Sequence, residues 1–189
     1  NPDGTVYKTV SPGGRTTTTL YDQARRPQSV EDSMGNTTFF GYDAAGNQIF
    51  VTEPAGQSTH FGYDPAYNLV ETSTTIEGGQ VIRASYSYDQ ANRLTQITYP
   101  GSTGTATYTY TPNGNLATAT DPDGARWSYS YSLRGELTEV ISPDGTKTTY
   151  LYDPVGRLIS QDNTNSGTHT YLYDRAGRLV VAERLGAGR

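Results

Sequence analysis

The chain has 189 residues, a formal net charge of −5 and only 33% of its residues in the hydrophobic set AVILMFWYC. Its isoelectric point of about 4.9 leaves no basic surface to neutralise phosphates, which excludes DNA and RNA as partners. The absence of cysteine excludes disulfides and thiolate metal sites, and without a run of about 18 apolar residues we expect no membrane insertion by this segment.

Residues 1–20 contain two turn signals, Pro2-Asp3-Gly4 and Pro12-Gly13-Gly14. Proline and glycine set the backbone angles of a tight reversal, so we predict a partial, degenerate repeat in this stretch. The repeat that begins at Tyr21 is degenerate too, because Arg25-Arg26-Pro27 stands where later repeats carry glycine and leucine.

A tyrosine recurs along the chain at intervals of 21, 21, 25, 22, 21, 21 and 21 residues. These marker tyrosines are Tyr21, Tyr42, Tyr63, Tyr88, Tyr110, Tyr131, Tyr152 and Tyr173. Most are followed by aspartate, at Asp22, Asp43, Asp64, Asp89, Asp153 and Asp174. Glycine often lies four residues after the marker, at Gly46, Gly114, Gly135, Gly156 and Gly177, and leucine six residues after it, at Leu69, Leu94, Leu116, Leu137, Leu158 and Leu179. We predict that all of these residues are structural repeat markers, because residues that recur in phase at this period define one supersecondary unit.

A second turn signal lies about half a period after the marker. It reads Pro54-Ala55-Gly56, Pro122-Asp123-Gly124 and Pro143-Asp144-Gly145, with looser versions at Gly35-Asn36 and Ser166-Gly167. Each repeat is therefore predicted to contain two strands and two turns. An aromatic residue two positions before the marker shares its face, at Phe40, Phe61, Tyr86, Tyr108, Tyr129, Tyr150 and Tyr171.

The predicted fold is all-β, with tandem antiparallel β-hairpin repeats of about 21 residues forming a curved or spiral single-sheet strip. We expect about sixteen strands of about seven or eight residues each. The longest interval contains Ile76-Glu77-Gly78-Gly79-Gln80, which is predicted to lengthen one hairpin loop. We interpret residues 1–189 as a single array, with a partial unit at 1–20, seven repeats at 21–172 and a partial last repeat at 173–189.

Few side chains offer reactive chemistry, and we predict no catalytic, metal-binding or cofactor-binding residue. His60 and His169 lie three and four residues before their markers, on opposite faces, and we interpret both as exposed strand histidines. Asp121-Pro122-Asp123-Gly124 has too few oxygen ligands for a calcium loop, and Pro-Asp-Gly recurs at 143–145 as a turn. The marker aspartates repeat once per unit, which favours turn capping over catalysis, so the chain is predicted not to be an enzyme.

The consensus Tyr-Asp-x-x-Gly-Arg-Leu, seen at 152–158 and again at 173–179, resembles the YD repeat of the Rhs family. That family includes bacterial Rhs polymorphic toxins, the B and C components of Tc toxins, wall-associated bacterial proteins and the animal teneurins. In those relatives the repeats form a long β-strip wound into a shell or barrel, which in toxin members encloses a C-terminal toxic domain. The resemblance implies a structural scaffold that encloses or displays an effector in a secreted or surface-exposed bacterial protein.

Two other functions stay open at this stage. An array with unpaired end strands is typical of self-assembling extracellular filaments or adhesins, and rows of tyrosines are typical of carbohydrate-binding or cell-wall-binding modules. The predicted partners are accordingly further YD repeats of the same or neighbouring chains, a C-terminal toxin cargo, or a glycan or cell-surface receptor.

Overall fold

The computed structural model describes residues 6–76, 78–101 and 104–185, and all regular secondary structure in them is β-strand. The predicted turn at Pro2-Asp3-Gly4 and the residues after 185 lie outside this range. No helix that could cross a membrane occurs in the described part of the chain. The strands are β1 (Val6–Val10), β2 (Thr16–Tyr21), β3 (Pro27–Glu31), β4 (Thr37–Tyr42), β5 (Gln48–Thr52), β6 (Ser58–Tyr63), β7 (Leu69–Thr75), β8 (Val81–Tyr88), β9 (Leu94–Thr98), β10 (Thr105–Tyr110), β11 (Leu116–Thr120), β12 (Arg126–Tyr131), β13 (Leu137–Ile141), β14 (Lys147–Tyr152), β15 (Leu158–Asn163), β16 (Gly167–Tyr173) and β17 (Leu179–Leu185).

The chain divides into two compact segments, Asn1–Gly101 and Ser102–Arg189. In the first segment, β1 to β9 pair antiparallel in chain order. In the second, β10 to β17 do the same. The prediction of tandem antiparallel hairpins is confirmed, and the interpretation of residues 1–189 as one array stays a prediction.

Two kinds of strand alternate along each segment. The even-numbered strands all end on a marker tyrosine, and we call them marker strands. The odd-numbered strands from β3 onward begin six residues after a marker, and we call all the odd-numbered strands return strands. Most strands contain five or six residues, fewer than the seven or eight predicted, because the turns occupy more of each repeat than we expected.

One turn geometry recurs at both ends of the repeats. In the turn after Tyr152, the Gly156 amide donates to the Asp153 carbonyl over 3.0 Å, and the Asp153 amide donates to the Arg157 carbonyl over 2.9 Å. This pattern marks a three-residue hairpin loop that closes on a left-handed residue, here Gly156 with φ of 85°. Every hairpin turn of the two segments has the same pair of bonds, except the turn at 163–167. The turns that follow the markers, which we call marker turns, therefore have the same backbone structure as the half-period turns other than the one at 163–167.

A β-bulge follows each marker turn. In the hairpin of β14 and β15, Leu151 pairs with Ser160 while Tyr152 pairs with Leu158, so that Ile159 is the extra residue. All eight hairpins closed by marker turns have this shift. Within each segment, the described pairings closed by the other turns lack it. Bulges bend a strand and increase its twist, so the repeat builds the same local distortion into every hairpin.

The packing lacks a conventional core. Among the described residues, the buried apolar side chains are only Ala84 and Ala106. The aromatic residues two positions before the markers are half-buried on one face. Their cross-strand partners are not other rings but mainly small or aliphatic residues, such as Val51 opposite Phe40 and Ala119 opposite Tyr108. Backbone ladders and half-buried rings therefore replace a closed hydrophobic interior.

The longest repeat differs from the prediction made for it. The turn between Ile76 and Gln80 has the ordinary pair of hydrogen bonds, so the hairpin loop is not lengthened. The four extra residues extend the strands instead: β7 has 7 residues and β8 has 8, with Thr75 paired to Val81 beside the turn. Two additional residues per strand keep every side chain on its original face, which an odd number would not.

Candidate functional site: the row of marker turns

The marker aspartates bind the backbone of their own turns. One carboxylate oxygen of Asp153, Oδ1, accepts hydrogen bonds from the backbone amides of Val155 and Arg157, at 3.0 and 2.9 Å. Asp64, Asp89 and Asp174 make the same two bonds two and four residues ahead. A carboxylate at this position holds the amides that a three-residue loop leaves unpaired, which is why aspartate favours such turns.

The second carboxylate oxygen binds the side chain four residues later. Arg157 donates its Nε to Asp153 Oδ2 over 2.6 Å, and Asn68 donates its Nδ2 to Asp64 Oδ2 over 3.0 Å. The remaining aspartates have an arginine or asparagine in the same role: Arg26, Asn47, Arg93 and Arg178. Where serine replaces aspartate, the partner changes to match, because the Ser132 hydroxyl donates to the Glu136 carboxylate over 2.9 Å.

These bonds lower the pKa of each marker aspartate below its ordinary value of 3.8. For Asp153 and Asp174, the largest cause is the hydrogen bond from the backbone amide four residues ahead. For Asp43, Asp64 and Asp89, it is the hydrogen bond from the side chain four residues ahead. In every case the hydrogen bonds stabilise the charged carboxylate. The marker aspartates are therefore held in the ionised form by their own turns, and a carboxylate that holds no proton is a poor general acid.

Two of the marker turns also contact the marker tyrosine of the next repeat. The guanidinium carbon of Arg26 lies 4.6 Å from the ring centroid of Tyr42, and that of Arg157 lies 4.8 Å from the centroid of Tyr173. Arg26 Nη1 also donates to the Asp43 carbonyl over 3.2 Å. A guanidinium over an aromatic face is attracted by the ring's negative quadrupole. The arginine thus links the carboxylate of one repeat to the ring of the following one.

The marker hydroxyls bind the backbone of the preceding return strand. Tyr63 donates to the Gln48 carbonyl over 3.0 Å, Tyr88 to the Leu69 carbonyl over 2.9 Å, and Tyr173 to the Leu158 carbonyl over 2.9 Å. In these three cases, the accepting residue is the first residue of its return strand. It has no paired residue on the following marker strand. The phenol therefore caps a carbonyl that the sheet leaves unbonded.

Partial burial of the rings changes their acidity. Desolvation is the largest cause that raises the pKa of Tyr42, Tyr88, Tyr131 and Tyr152 above the ordinary 10.0. The neutral phenol, which can donate its proton to a carbonyl, is the form that the fold favours.

The histidines and the remaining acidic residues of the described chain were the other candidates for a site. In residues 6–76, 78–101 and 104–185, no cluster of His, Asp and Glu could hold a metal ion. His60 is exposed, as predicted. His169 is half-buried, which differs from the prediction. It lies on the same face as the aromatic residues and pairs with Gln161, which pairs with Tyr150 on its other side. Asp121 binds the amides of Asp123 and Ala125 in its own turn. Among the described residues, these contacts hold neighbouring strands and their turns together.

A family model described as RHS Repeat matches residues 42–81, 71–103, 110–147, 131–168 and 152–189. These matches cover well over half of the chain and follow the marker period. The chain belongs to the RHS repeat family. A comparison with curated protein sequences finds no match.

Several solved structures share the fold of this chain. The crystal structure of TcdB2-TccC3-Cdc42 matches with a TM-score of 0.69 at 19% identity, over 97% of this chain and 11% of that chain. TcdB2-TccC3 without its hypervariable C-terminal region gives the same values. A Photorhabdus luminescens Tc holotoxin pore carrying a TccC3 mutation gives a TM-score of 0.68 at 19% identity, with the same coverage. The chain therefore spans about a tenth of the length of the solved chains that it matches.

Two features of the RHS repeat were missed at the sequence level. The arginine or asparagine five residues after the marker was visible in Tyr-Asp-x-x-Gly-Arg-Leu, but its bond to the aspartate was not predicted. The sequence did contain a signal for this bond. Where serine replaces the aspartate, at Ser132, glutamate replaces the arginine or asparagine four residues later, at Glu136, so that the donor and the acceptor change places. The hydroxyl bond to the preceding repeat leaves no signal in one sequence, since its acceptor is a backbone carbonyl.

Proposed function

We propose that this chain is a structural part of an RHS-repeat β-shell that encloses or displays a toxin or effector domain in a secreted or surface-exposed bacterial protein. Its role is to hold and protect that domain rather than to catalyse a reaction. We further propose that the two segments belong to one repeat array, since the marker period continues through both, and that the repeat markers serve this architecture.

The observation that carries the proposal is the coupling of successive marker turns. The carboxylate, the arginine and the following tyrosine join one repeat to the next in the first segment, through Arg26 and Tyr42, and in the second, through Arg157 and Tyr173. Such coupling specifies a wall whose extent is set by repeat number, because each repeat needs only its neighbours. The fold likeness to TcdB2-TccC3 supports the same reading.

The functional groups of the network also favour a wall over a glycan-binding surface. Sugar-binding platforms need free aromatic faces and free hydrogen-bonding groups. Here the rings of Tyr42 and Tyr173 are covered by arginines, and the hydroxyls of Tyr63, Tyr88 and Tyr173 are bonded to backbone carbonyls.

The test is limited proteolysis of the full-length natural protein that carries these residues, followed by mass spectrometry. We expect the effector domain to resist cleavage in the native protein and to be digested once the array is loosened by replacing two marker tyrosines with alanine. A matched variant with two exposed residues replaced, Val155→Ser and Leu133→Ser, keeps the protection. A natural protein that has no effector domain, or an effector cleaved equally fast in all three proteins, would falsify the proposal.

A further inference from the structure

The chain contains a single Asn-Gly dipeptide, Asn113-Gly114, and it lies in the marker turn between β10 and β11. Both residues are exposed, and Gly114 takes the left-handed position of the turn with φ of 88°. Asparagine before glycine is the chemically least stable asparagine, because glycine has no side chain to hinder attack of its backbone nitrogen on the preceding side-chain amide. Among the described residues, the Asn113 side chain makes no hydrogen bond that would hold its amide in place.

This turn is held by fewer side-chain bonds than the other marker turns. Thr111 stands where most repeats have aspartate, and its Oγ1 accepts one hydrogen bond, from the Asn115 amide over 3.1 Å. The carboxylate of Asp64 accepts three in its own turn, from the amide two residues ahead and from the backbone and side chain of Asn68. Within the described part of the chain, the Asn113 amide has no such acceptor.

Opening of the turn controls whether Asn113 can react. In the closed turn the Gly114 amide donates to the Thr111 carbonyl over 2.9 Å, which keeps its nitrogen from attacking. The reaction therefore proceeds through local opening, and its rate is the intrinsic rate multiplied by the fraction of time that the turn is open. Hydrogen bonds to a carboxylate are about twice as strong as those to a neutral acceptor. The threonine turn consequently opens more often than an aspartate turn.

We propose that Asn113 is a site of spontaneous deamidation, and that the described array ages first at this turn. The Gly114 nitrogen loses its proton and forms a bond to the side-chain carbonyl carbon of Asn113. The bond from that carbon to the amide nitrogen breaks, and the nitrogen leaves with the proton as ammonia. Water then opens the resulting five-membered imide at either of its carbonyls, which gives aspartate or isoaspartate. No atom is oxidised or reduced.

The isoaspartate product changes the backbone of the turn. Its main chain runs through the former side chain, so an additional carbon separates position 113 from Gly114. A three-residue hairpin loop of fixed geometry then loses its two closing bonds, from Gly114 to the Thr111 carbonyl and from Thr111 to the Asn115 carbonyl. We expect the hairpin of β10 and β11 to loosen where this product forms. The proposal is independent of any enclosed domain, because it concerns one turn of the chain itself.

The test incubates the 189-residue chain at mildly alkaline pH and follows every asparagine by peptide mapping and mass spectrometry. Labelling with isoaspartate methyltransferase identifies the isoaspartate product. We expect Asn113 to convert faster than any other asparagine of the folded chain. Asn165, which precedes Ser166 and donates its Nδ2 to Thr146 over 2.7 Å, is the internal reference. The same chain unfolded in urea gives the rate of Asn113 without its turn.

Two substitutions at Thr111 change the opening of the turn without altering the reacting pair. Thr111→Asp recreates with Asn115 the pairing of Asp64 with Asn68, and should slow the conversion of Asn113 at least about tenfold. Thr111→Ala removes the one side-chain bond and should accelerate the conversion about threefold, an effect that no added charge can produce.

A third variant controls for charge. Thr107→Asp introduces a carboxylate at an exposed position of β10, four residues before Thr111, and should leave the conversion of Asn113 unchanged. Circular dichroism and an unaltered rate at Asn165 verify that all three variants remain folded. Four results would each overturn the proposal: an inert Asn113 in the folded chain while the unfolded chain converts, equal rates in the parent chain and both Thr111 variants, equal slowing by the two new aspartates, or faster conversion of another asparagine.

Discussion

At the scale of single residues, the marker tyrosine has two separable roles. Tyr173 shows both: its ring covers Arg157, and its hydroxyl donates to the Leu158 carbonyl. The repeat therefore places one side chain where both a packing contact and a hydrogen bond cross the junction. Phenylalanine can keep the first and lose the second, which makes the two contributions measurable.

We predict that Tyr63→Phe lowers the free energy of unfolding by about 1 kcal/mol, because the bond from its hydroxyl to the Gln48 carbonyl is lost. The control is Tyr67→Phe, which removes the hydroxyl of a tyrosine that is 62% exposed and should have no measurable effect. Urea unfolding followed by circular dichroism gives both values. Equal effects of the two substitutions would show that the junction hydroxyl contributes nothing specific.

Tyr67 is itself strained, since it occupies the glycine position of its turn with φ of 64°. An L-residue with a side chain in this left-handed conformation costs about 1 kcal/mol or more relative to glycine. We predict that Tyr67→Gly raises the urea midpoint of the chain. The reciprocal change at the same position of another marker turn, Gly156→Ala with φ of 85°, should lower it. A lower midpoint for Tyr67→Gly would mean that the side chain stabilises the turn by more than its strain.

At the scale of strands and turns, much was predictable from the period alone. The marker aspartates and the Pro-Asp-Gly triplets locate turns because their side chains act within four residues, so Asp153 and Asp121 could be interpreted without a structure. The turn at Ile76–Gln80 could not be interpreted from the sequence, because its glycines are compatible both with a long loop and with a standard turn between longer strands. The bulge at Ile159 was equally hidden, since it depends on the register of the partner strand.

The longer hairpin of β7 and β8 gives a prediction at this scale. Deleting Thr74, Thr75, Val81 and Ile82 removes two residues from each strand and leaves strands of the ordinary length joined at the pair Ser73 and Arg83. We predict a folded chain, because an even deletion keeps every side chain on its face and restores the same kind of pair beside the turn. Amide spectra of the flanking repeats measure this directly.

A one-pair deletion is the matched control. Removing only Thr75 and Val81 deletes one residue from each strand beside the turn. The turn must then close on the pair Thr74 and Ile82, one position along each strand. Hydrogen-bonded and non-hydrogen-bonded pairs alternate along antiparallel strands, so Thr74 and Ile82 form the opposite kind of pair to Thr75 and Val81. The two hydrogen bonds of the turn would then be lost. We expect a clearly lower urea midpoint for this variant than for the longer deletion. The opposite order would show that strand length, not parity, limits the hairpin.

At the scale of the whole molecule, the turn carboxylates act together. Their pKa values in the folded chain are lowered below 3.8, so the ionised forms stabilise the fold above that pH. This stabilisation is lost as the pH falls through the lowered values, when the folded chain must also bind protons. We predict a urea midpoint that is level from about pH 7 to pH 5 and falls steeply between about pH 4 and pH 2. A midpoint unchanged at the lowest pH would mean that the carboxylates contribute equally to the folded and unfolded chains.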